Sequence, residues 1–335
     1  VTVPIADGGE GTVEAFLAAG AQPRVRRVTG PLGEAVEARY AMYATTAVIE
    51  MAAAAGYELV DPARRDALRS TTFGVGELIR AALDEGATRV VIGLGGSATN
   101  DAGAGMLTAL GVRLLDAAGR HLSPGGAALA SLAEVDLSGL DRRLGGVRIE
   151  GACDVNFELC GPAGASAVFG PQKGASPGQV ALLDAALGHF ADRSAAVLGR
   201  DRRHEPSTGA AGGLGYALAQ YLNADLRSGI DIIIEIAGLR EALAGADLCV
   251  TGEGRIDAQT EGGKAIAGIA RAAREAGVPV VALCGSLGDG AEPALAALGA
   301  ACLPITDRPM PEEEAMRDAA ILVERAAARL ARLRA

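Results

Sequence analysis

Apolar positions recur at helical spacing through Phe73, Leu78, Ile79 and Leu83, and the run stops at Gly86, so a helix is predicted from Thr71 to Leu83. The segment RVVIGLGG then reads as a buried strand, followed by a glycine-rich turn, a helix from about Thr99 to Leu110 and the strand VRLLD. That order is one βαβ unit. The C-terminal part repeats the rhythm: strand DLCVTGEG, helix KAIAGIARAAREAG, strand VPVVALCG, helix AEPALAALGA, strand ACLPIT, and a last amphipathic helix from about Pro311 to Leu333. Strands apolar throughout, alternating with helices, imply a parallel sheet covered on both faces.

Two regions break this rhythm. Between Val25 and Glu50, short alternating runs around GPLG read as antiparallel strands. Between Ser131 and Leu239, strands and a glycine-rich stretch mix with the helix QVALLDAALGHFADRSAAVL. The expected fold class is α/β. A Rossmann-like parallel-sheet domain (1–20, 70–130 and 240–335) is interrupted by a smaller mixed α/β domain (21–69 and 131–239). Ligand chemistry is expected in the cleft between the two domains, where sites of this kind concentrate.

Composition narrows the function classes. Half of the 335 residues are hydrophobic, yet no uninterrupted apolar run reaches the ~18 residues that would span a bilayer. The opening VTVPIADGGEGT has neither the basic start nor the apolar stretch of a secretory signal, so a cytoplasmic protein without a membrane partner is expected. It also reads as a strand in mid-fold, so an N-terminal piece ahead of Val1 is expected. A net charge of −10, 3% aromatic residues and no Trp argue against nucleic acid and for a small-molecule partner. A homo-oligomer is left open. Five cysteines without a CxxC and three scattered histidines (His121, His189, His204) suggest neither a disulfide framework nor a zinc site. Almost all the positive charge is Arg. The only lysines, Lys173 and Lys264, lie in glycine-rich segments (FGPQKGAS and TEGGKAIAG), where a compact ammonium suits the chemistry better than a guanidinium fork.

The candidate chemistry lies where strands give way to glycines. GLGGSATND, 93–101, ends a strand before a helix, where free amides and close backbone approach favour an anion. A capped turn would account for Thr99 or Asn100 alone, but not for Ser97, Thr99, Asn100 and Asp101 together. Gly93, Gly95 and Ala98 also fit the dinucleotide pattern G-x-G-x-x-A, with Asp116 as the ribose-binding acid. Asp101 opposes that reading, because a carboxylate competes with a bare pyrophosphate and is welcome only with Mg²⁺ between them. ADGGEGTVEAF, 6–16, repeats the design with Asp7, and a plain βα turn explains it equally well. TGEGRIDAQT, 251–260, brings Gly252, Glu253, Arg255 and Asp257 to a third strand end, which could hold Mg²⁺ or a hydroxyl or be a solvated loop. Asp154 and Lys173 fall in the segment 151–176, and GAAGGLGYAL, 209–218, is either an anion site or close packing.

Together, VPIADGGEGT, VTGPLGEAVEA, TTFGVGELI, IGLGGSATNDAGAGML, GPAGASAVFGPQKGA, AAGGLG and VTGEGRIDAQT occur in an order that resembles the type-1 glycerate kinase family. The resemblance covers nearly the whole chain. It implies ATP-dependent phosphorylation of D-glycerate, to 2-phosphoglycerate for this type, with Mg²⁺. After CDV the family tends to read T-N-P-L, whereas this chain has Asn156-Phe157-Glu158-Leu159.

Phosphoryl transfer asks a protein mainly for positioning and charge neutralisation, and that sets the expected roles. Amides at Gly95, Gly96 and Ser97, with Thr99, Asn100, Gly252 and Glu253, would hold the nucleotide, and Asp101 or Asp257 the Mg²⁺. Lys173 would neutralise the transferring group, Arg255 would hold the glycerate carboxylate, and Asp154 or Asp7 would orient the attacking hydroxyl. A nicotinamide-dependent dehydrogenase and a catalytically inactive glycerate- or nucleotide-binding module are the alternatives.

Overall fold

The computed structural model describes residues 1–6, 9, 11–258, 260 and 265–332. By internal contacts the chain forms two compact units, Ala6–Gly229 and Val1–Ile5 with Ile230–Ala335.

The unit of residues 6–229 holds strands β1 (Gln22–Thr29), β2 (Ala35–Tyr43), β3 (Thr46–Glu50), β4 (Arg89–Gly93), β5 (Arg113–Leu115), β6 (Glu134–Asp136), β7 (Arg148–Ala152) and β8 (Asp225–Arg227). A six-stranded sheet runs in the order β1-β2-β3-β4-β7-β8. As the alternation around GPLG predicts, β1, β2 and β3 pair antiparallel, whereas β3, β4, β7 and β8 are parallel. Registers Glu50↔Gly93 and Gly93↔Ala152 bring three strand ends into one row. The loops after β3, β4 and β7 therefore leave the same carboxyl edge, the place where α/β sheets bind ligands.

The helix Phe73–Asp84 buries Val75, Leu78, Ile79 and Ala82 completely, the i, i+3, i+4, i+7 stripe of an amphipathic helix. Each of its larger apolar side chains contributes about 1.5–3 kcal/mol. The helix Pro177–Leu198 opens on a capping box, with Ser176 Oγ accepting from the Gln179 amide, and closes on Gly199 at φ 68°. At the heart of the sheet Glu150 is fully buried and receives Arg89, Arg148 and Arg227 at 2.5, 2.9 and 2.7 Å. Those three partners make a buried carboxylate tolerable.

This topology departs from the sequence expectation in two places. Strand β5 pairs antiparallel with β6 in a separate two-stranded sheet, so β4, its loop and β5 do not form a βαβ unit. The strand at 46–50, expected in an inserted domain, is the parallel neighbour of β4, so the boundary between compact units falls near residue 230 and not around residues 70 and 130. Apolar runs identify buried strands but not their partners.

The other unit has the parallel sheet expected from its rhythm: β9 (Cys249–Ile256), β10 (Val280–Leu287) and β11 (Ala300–Pro304), in the order β11-β10-β9. The helix Ala265–Glu275 packs Ile266, Ile269, Ala270 and Ala273 into its core. The last predicted helix divides into Glu312–Arg317 and Ala319–Arg332 at Asp318, whose carboxylate is engaged by Arg317. Cys284 and Cys302, on neighbouring strands, bring their Sγ atoms to 2.9 Å. Among the described residues, no helix is long and apolar enough to cross a membrane.

Candidate active site

The segment 94–103 leaves β4 as a buried loop, and the helix that follows begins only at Ala104. Asp101 explains the late start. Fully buried, it accepts hydrogen bonds from the Thr72 amide (2.9 Å), the Thr72 hydroxyl (2.9 and 3.1 Å) and the amides of Gly103 (3.0 Å) and Gly105 (3.1 Å). These donors occupy both carboxylate oxygens, so Asp101 is a structural anchor and not the metal ligand expected from sequence. Burial raises its pKa, while the Thr72, Gly105 and Gly103 donors pull it down.

Lys173 is also interior, at 2% exposure. Its Nζ donates to Ser97 Oγ at 2.7 Å and to the Thr99 carbonyl at 2.6 Å. Burial pulls its pKa from 10.5 down to about 7, against the nearby Asp101 charge, which raises it. In this geometry the ammonium clamps the loop instead of reaching outward to a transferring group. Asn100 Nδ2 donates to Ser166 Oγ at 2.8 Å, and Ser70 Oγ donates to the Ala98 carbonyl at 3.0 Å.

The loop is also wedged from beneath. In the helix Ala210–Leu222, Ala211, Gly212 and Gly213 take left-handed conformations, and the Ala102 amide donates to the Gly212 carbonyl at 3.0 Å. A Cβ on Gly212 would lie 1.9 Å from the Thr99 oxygen. GAAGGLG is therefore close packing, with every residue from Ala210 to Tyr221 buried.

Only the front of the loop faces outward, at Gly95 and Gly96, the latter at φ 69°. Among the described residues, the amides of Gly95, Gly96 and Ser97 have no acceptor, whereas the flanking amides of Leu94 and Ala98 bond to Ala152 and Ala55. Successive free amides around a left-handed glycine form a concave anion-binding nest. Gly9, from the ADGGEGT segment, lies close by: a Cβ on Gly95 would be 3.4 Å from its Cα. Asp7 lies outside the described residues, as does Lys264. Among the described residues, the buried Thr99 Oγ1 and Asn100 Oδ1 have no hydrogen-bond partner.

Asp154, just beyond the end of β7, is exposed, and its Oδ1 accepts from Ser228 Oγ (3.0 Å) and the Gly229 amide (3.1 Å). Glu158, at the family departure, is exposed and faces His204 Nδ1 at 2.6 Å. Asp116 does not occupy a ribose-binding position, because β5 is outside the main sheet and the carboxylate closes its own turn on the amides of Ala118 and Arg120. The dinucleotide reading thereby loses its acid.

In the other unit, Gly252, Glu253 and Arg255 line a groove of about 990 Å³ together with Gly285 and Ser286. Arg255 is 65% exposed, with Nε 3.5 Å from Asp257 Oδ2, and the Asp257 amide donates to Thr260 Oγ1 at 3.1 Å. Among the described residues, no group of three or more His, Cys, Asp or Glu could hold a metal ion.

Sequence reasoning missed Thr72, Ser70 and Ser166, which hold the loop from outside it. For Ser70 and Thr72 the signal was the hydroxyl run Ser70-Thr71-Thr72 just before the helix Phe73–Asp84; Ser166 had none.

The arrangement has close counterparts. The chain is 50% identical over 328 residues to the glycerate kinase of Bacillus subtilis (strain 168), covering 97% of this chain and 86% of that one. It is 50% identical over 293 residues to the glycerate 2-kinase of Escherichia coli (strain K12), covering 86% and 77%. A crystal structure of a putative glycerate kinase 2 from Salmonella typhimurium LT2 superposes with a TM-score of 0.88 at 46% identity, covering 99% of this chain and 89% of that one. The family model described as "Glycerate kinase family" matches residues 1–335, and on this evidence the chain belongs to that family of enzymes.

Proposed function

We propose that this enzyme transfers the γ-phosphoryl group of ATP to D-glycerate, giving 2-phosphoglycerate. The observation that carries the reading is the nest at Gly95, Gly96 and Ser97, opening from a fully anchored loop in a chain of this family. A nest of rigid, unsatisfied amides suits a polyphosphate, since it offers fixed positive dipoles that need no reorganisation as charge shifts.

The residues divide the work. Gly95, Gly96 and Ser97 bind phosphate oxygens, with Thr99 and Asn100 shaping the loop behind them. Lys173 is a positioning residue that fixes Ser97 and Thr99 and lends positive potential from below. Arg255, exposed and forked, is assigned to the glycerate carboxylate. Asp154, held by Ser228 Oγ and the Gly229 amide, is assigned to orienting the substrate hydroxyl. Gly252 and Glu253 are assigned to the nucleotide.

Mg²⁺ fits this protein as a companion of the nucleotide and not as a resident of a protein cage, since Asp101 is saturated by its donors and, among the described residues, no group of three or more metal-ligating side chains gathers; Asp257 is the carboxylate assigned to it. When bound it neutralises phosphate charge.

The test is ADP release from the purified chain with MgATP, with and without D-glycerate, coupled directly to enolase. Glycerate-dependent ADP release with immediate enolase consumption is expected. Release without glycerate, or a requirement for added mutase, would overturn the kinase or the 2-phosphate assignment respectively.

A further inference from the structure

The segment 66–72 is fastened on both sides. On one side, Ser70 and Thr72 hold Ala98 and Asp101 of the phosphate loop. On the other, the Thr71 amide donates to Pro31 at 2.9 Å, and the Leu68 carbonyl accepts from Ala127 at 3.1 Å. Gly125 makes the second contact tight. At φ 99°, a Cβ there would sit 2.3 Å from the Leu68 oxygen and 2.5 Å from Arg69 Cα.

From this pinned backbone the side chain of Arg69 projects, with Arg64, into a pocket of about 840 Å³ that also presents Thr71 and Ser123. None of its lining residues belongs to the loop 94–103. Neither arginine has an ion pair among the described residues, although most arginines of this acidic chain do. Asp66 is the pocket's acid, and its Oδ1 is taken by the Leu68 amide at 3.0 Å. Glu77, beside Thr29 at the rim, is engaged by the Thr29 amide. Thr71 Oγ1 accepts from the Phe73 amide at 3.2 Å and keeps its proton to donate.

We infer that this pocket binds a small organic anion, through a carboxylate or phosphate group held by Arg64 and Arg69 with Thr71 and Ser123 as hydroxyl partners. Guanidinium forks match such groups bidentately. A backbone fixed before the ligand arrives lowers the ordering cost of binding. The same segment holds Ala98 and Asp101, so binding here would be felt at the phosphate loop. The inference rests on the kinase reading only for that consequence and not for binding itself.

The test is calorimetric titration of the whole chain, without nucleotide and at low chloride, using inorganic phosphate, D-glycerate and 2-phosphoglycerate in turn. Wild type is compared with Arg69→Ala and with the Arg64→Ala/Arg69→Ala double variant, circular dichroism confirming that these exposed changes leave the fold intact. At least one anion is expected to bind wild type, with affinity falling about tenfold or more on loss of Arg69, the worth of one charged hydrogen-bond pair. Lost binding with unchanged glycerate turnover would mark an effector site, and lost binding with lost turnover a reactant subsite. Both outcomes support an anion at these arginines. Unchanged affinity in the double variant, or no binding of any of the three anions, would overturn it, whatever the outcome of the turnover assay.

Discussion

Replacing Lys173 with Met keeps the side chain's length and removes its charge, which separates what the ammonium does for the fold from what it does for the loop. Each tenfold loss of proton affinity is 1.36 kcal/mol, so a pKa drawn from 10.5 to about 7 means that burial disfavours the cation by on the order of 5 kcal/mol. Against this stand two charge-assisted hydrogen bonds, to Ser97 Oγ and the Thr99 carbonyl, worth about 1.5–3 kcal/mol each. The opposing effects nearly cancel, and Lys173→Met should change folding stability by no more than about 2 kcal/mol. Activity should not be spared. With Ser97 and Thr99 released, the amide nest loses its fixed geometry, and kcat/KM should fall about 100-fold or more, the usual cost of a misplaced oxyanion donor. Denaturant unfolding and steady-state kinetics measure the two quantities on the same preparation.

The pH dependence supplies a readout that a purely structural role would not move. Between pH 7 and 10.5 the unfolded chain holds the Lys173 proton and the folded chain does not, so wild-type stability should rise across that window and lie flat just below it. The Met variant should lack the rise. Wild-type kcat/KM should decline above pH about 7, as the free enzyme loses the ammonium. Activity within a few-fold of wild type, or collapse of the fold, would contradict the role of Lys173 as a clamp on Ser97 and Thr99.

Asp101→Asn puts an amide donor among the Thr72, Gly103 and Gly105 donors and should cost about 3 kcal/mol or more of stability, while leaving the Mg²⁺ dependence of residual activity unchanged. A normal Tm with weakened Mg²⁺ dependence would restore the metal role. Gly212→Ala drives a Cβ to 1.9 Å from the Thr99 oxygen at φ 67° and should destabilise by more than about 3 kcal/mol, and a thermal melt within a degree or two of wild type would contradict the packing described. Arg255→Ala should raise KM for D-glycerate about tenfold or more with Tm and kcat little changed; an unaltered KM would remove Arg255 from the substrate.

The strands and helices were legible where one local pattern decided them. The alternation around GPLG fixed an antiparallel pair, and the spacing of Phe73, Leu78, Ile79 and Leu83 with the stop at Gly86 marked a helix. Pairing partners were not legible, because the apolar runs of β3 and β5 make either a plausible neighbour for β4, and the partner is set by contacts distant in sequence. The site was legible as a segment and less so as roles. GGSATND is the loop that carries the nest, but its polar residues proved mostly to be anchors. Asp101 and Lys173 are inward because partners distant in sequence, Thr72 for one, supply their donors and acceptors. A composition or a spacing cannot show which way a side chain turns. The bare glycines, which carry no side-chain chemistry at all, are what the loop leaves facing outward.

The most direct measurement is the ³¹P spectrum of the purified chain incubated with MgATP and D-glycerate. The γ-phosphate resonance is expected to give way to a phosphate monoester split into a doublet by the single proton on carbon 2, together with ADP. A triplet from the two protons on carbon 3 would contradict the regiochemistry, and free phosphate alone, or no change in the ATP signals, would contradict the kinase reading itself.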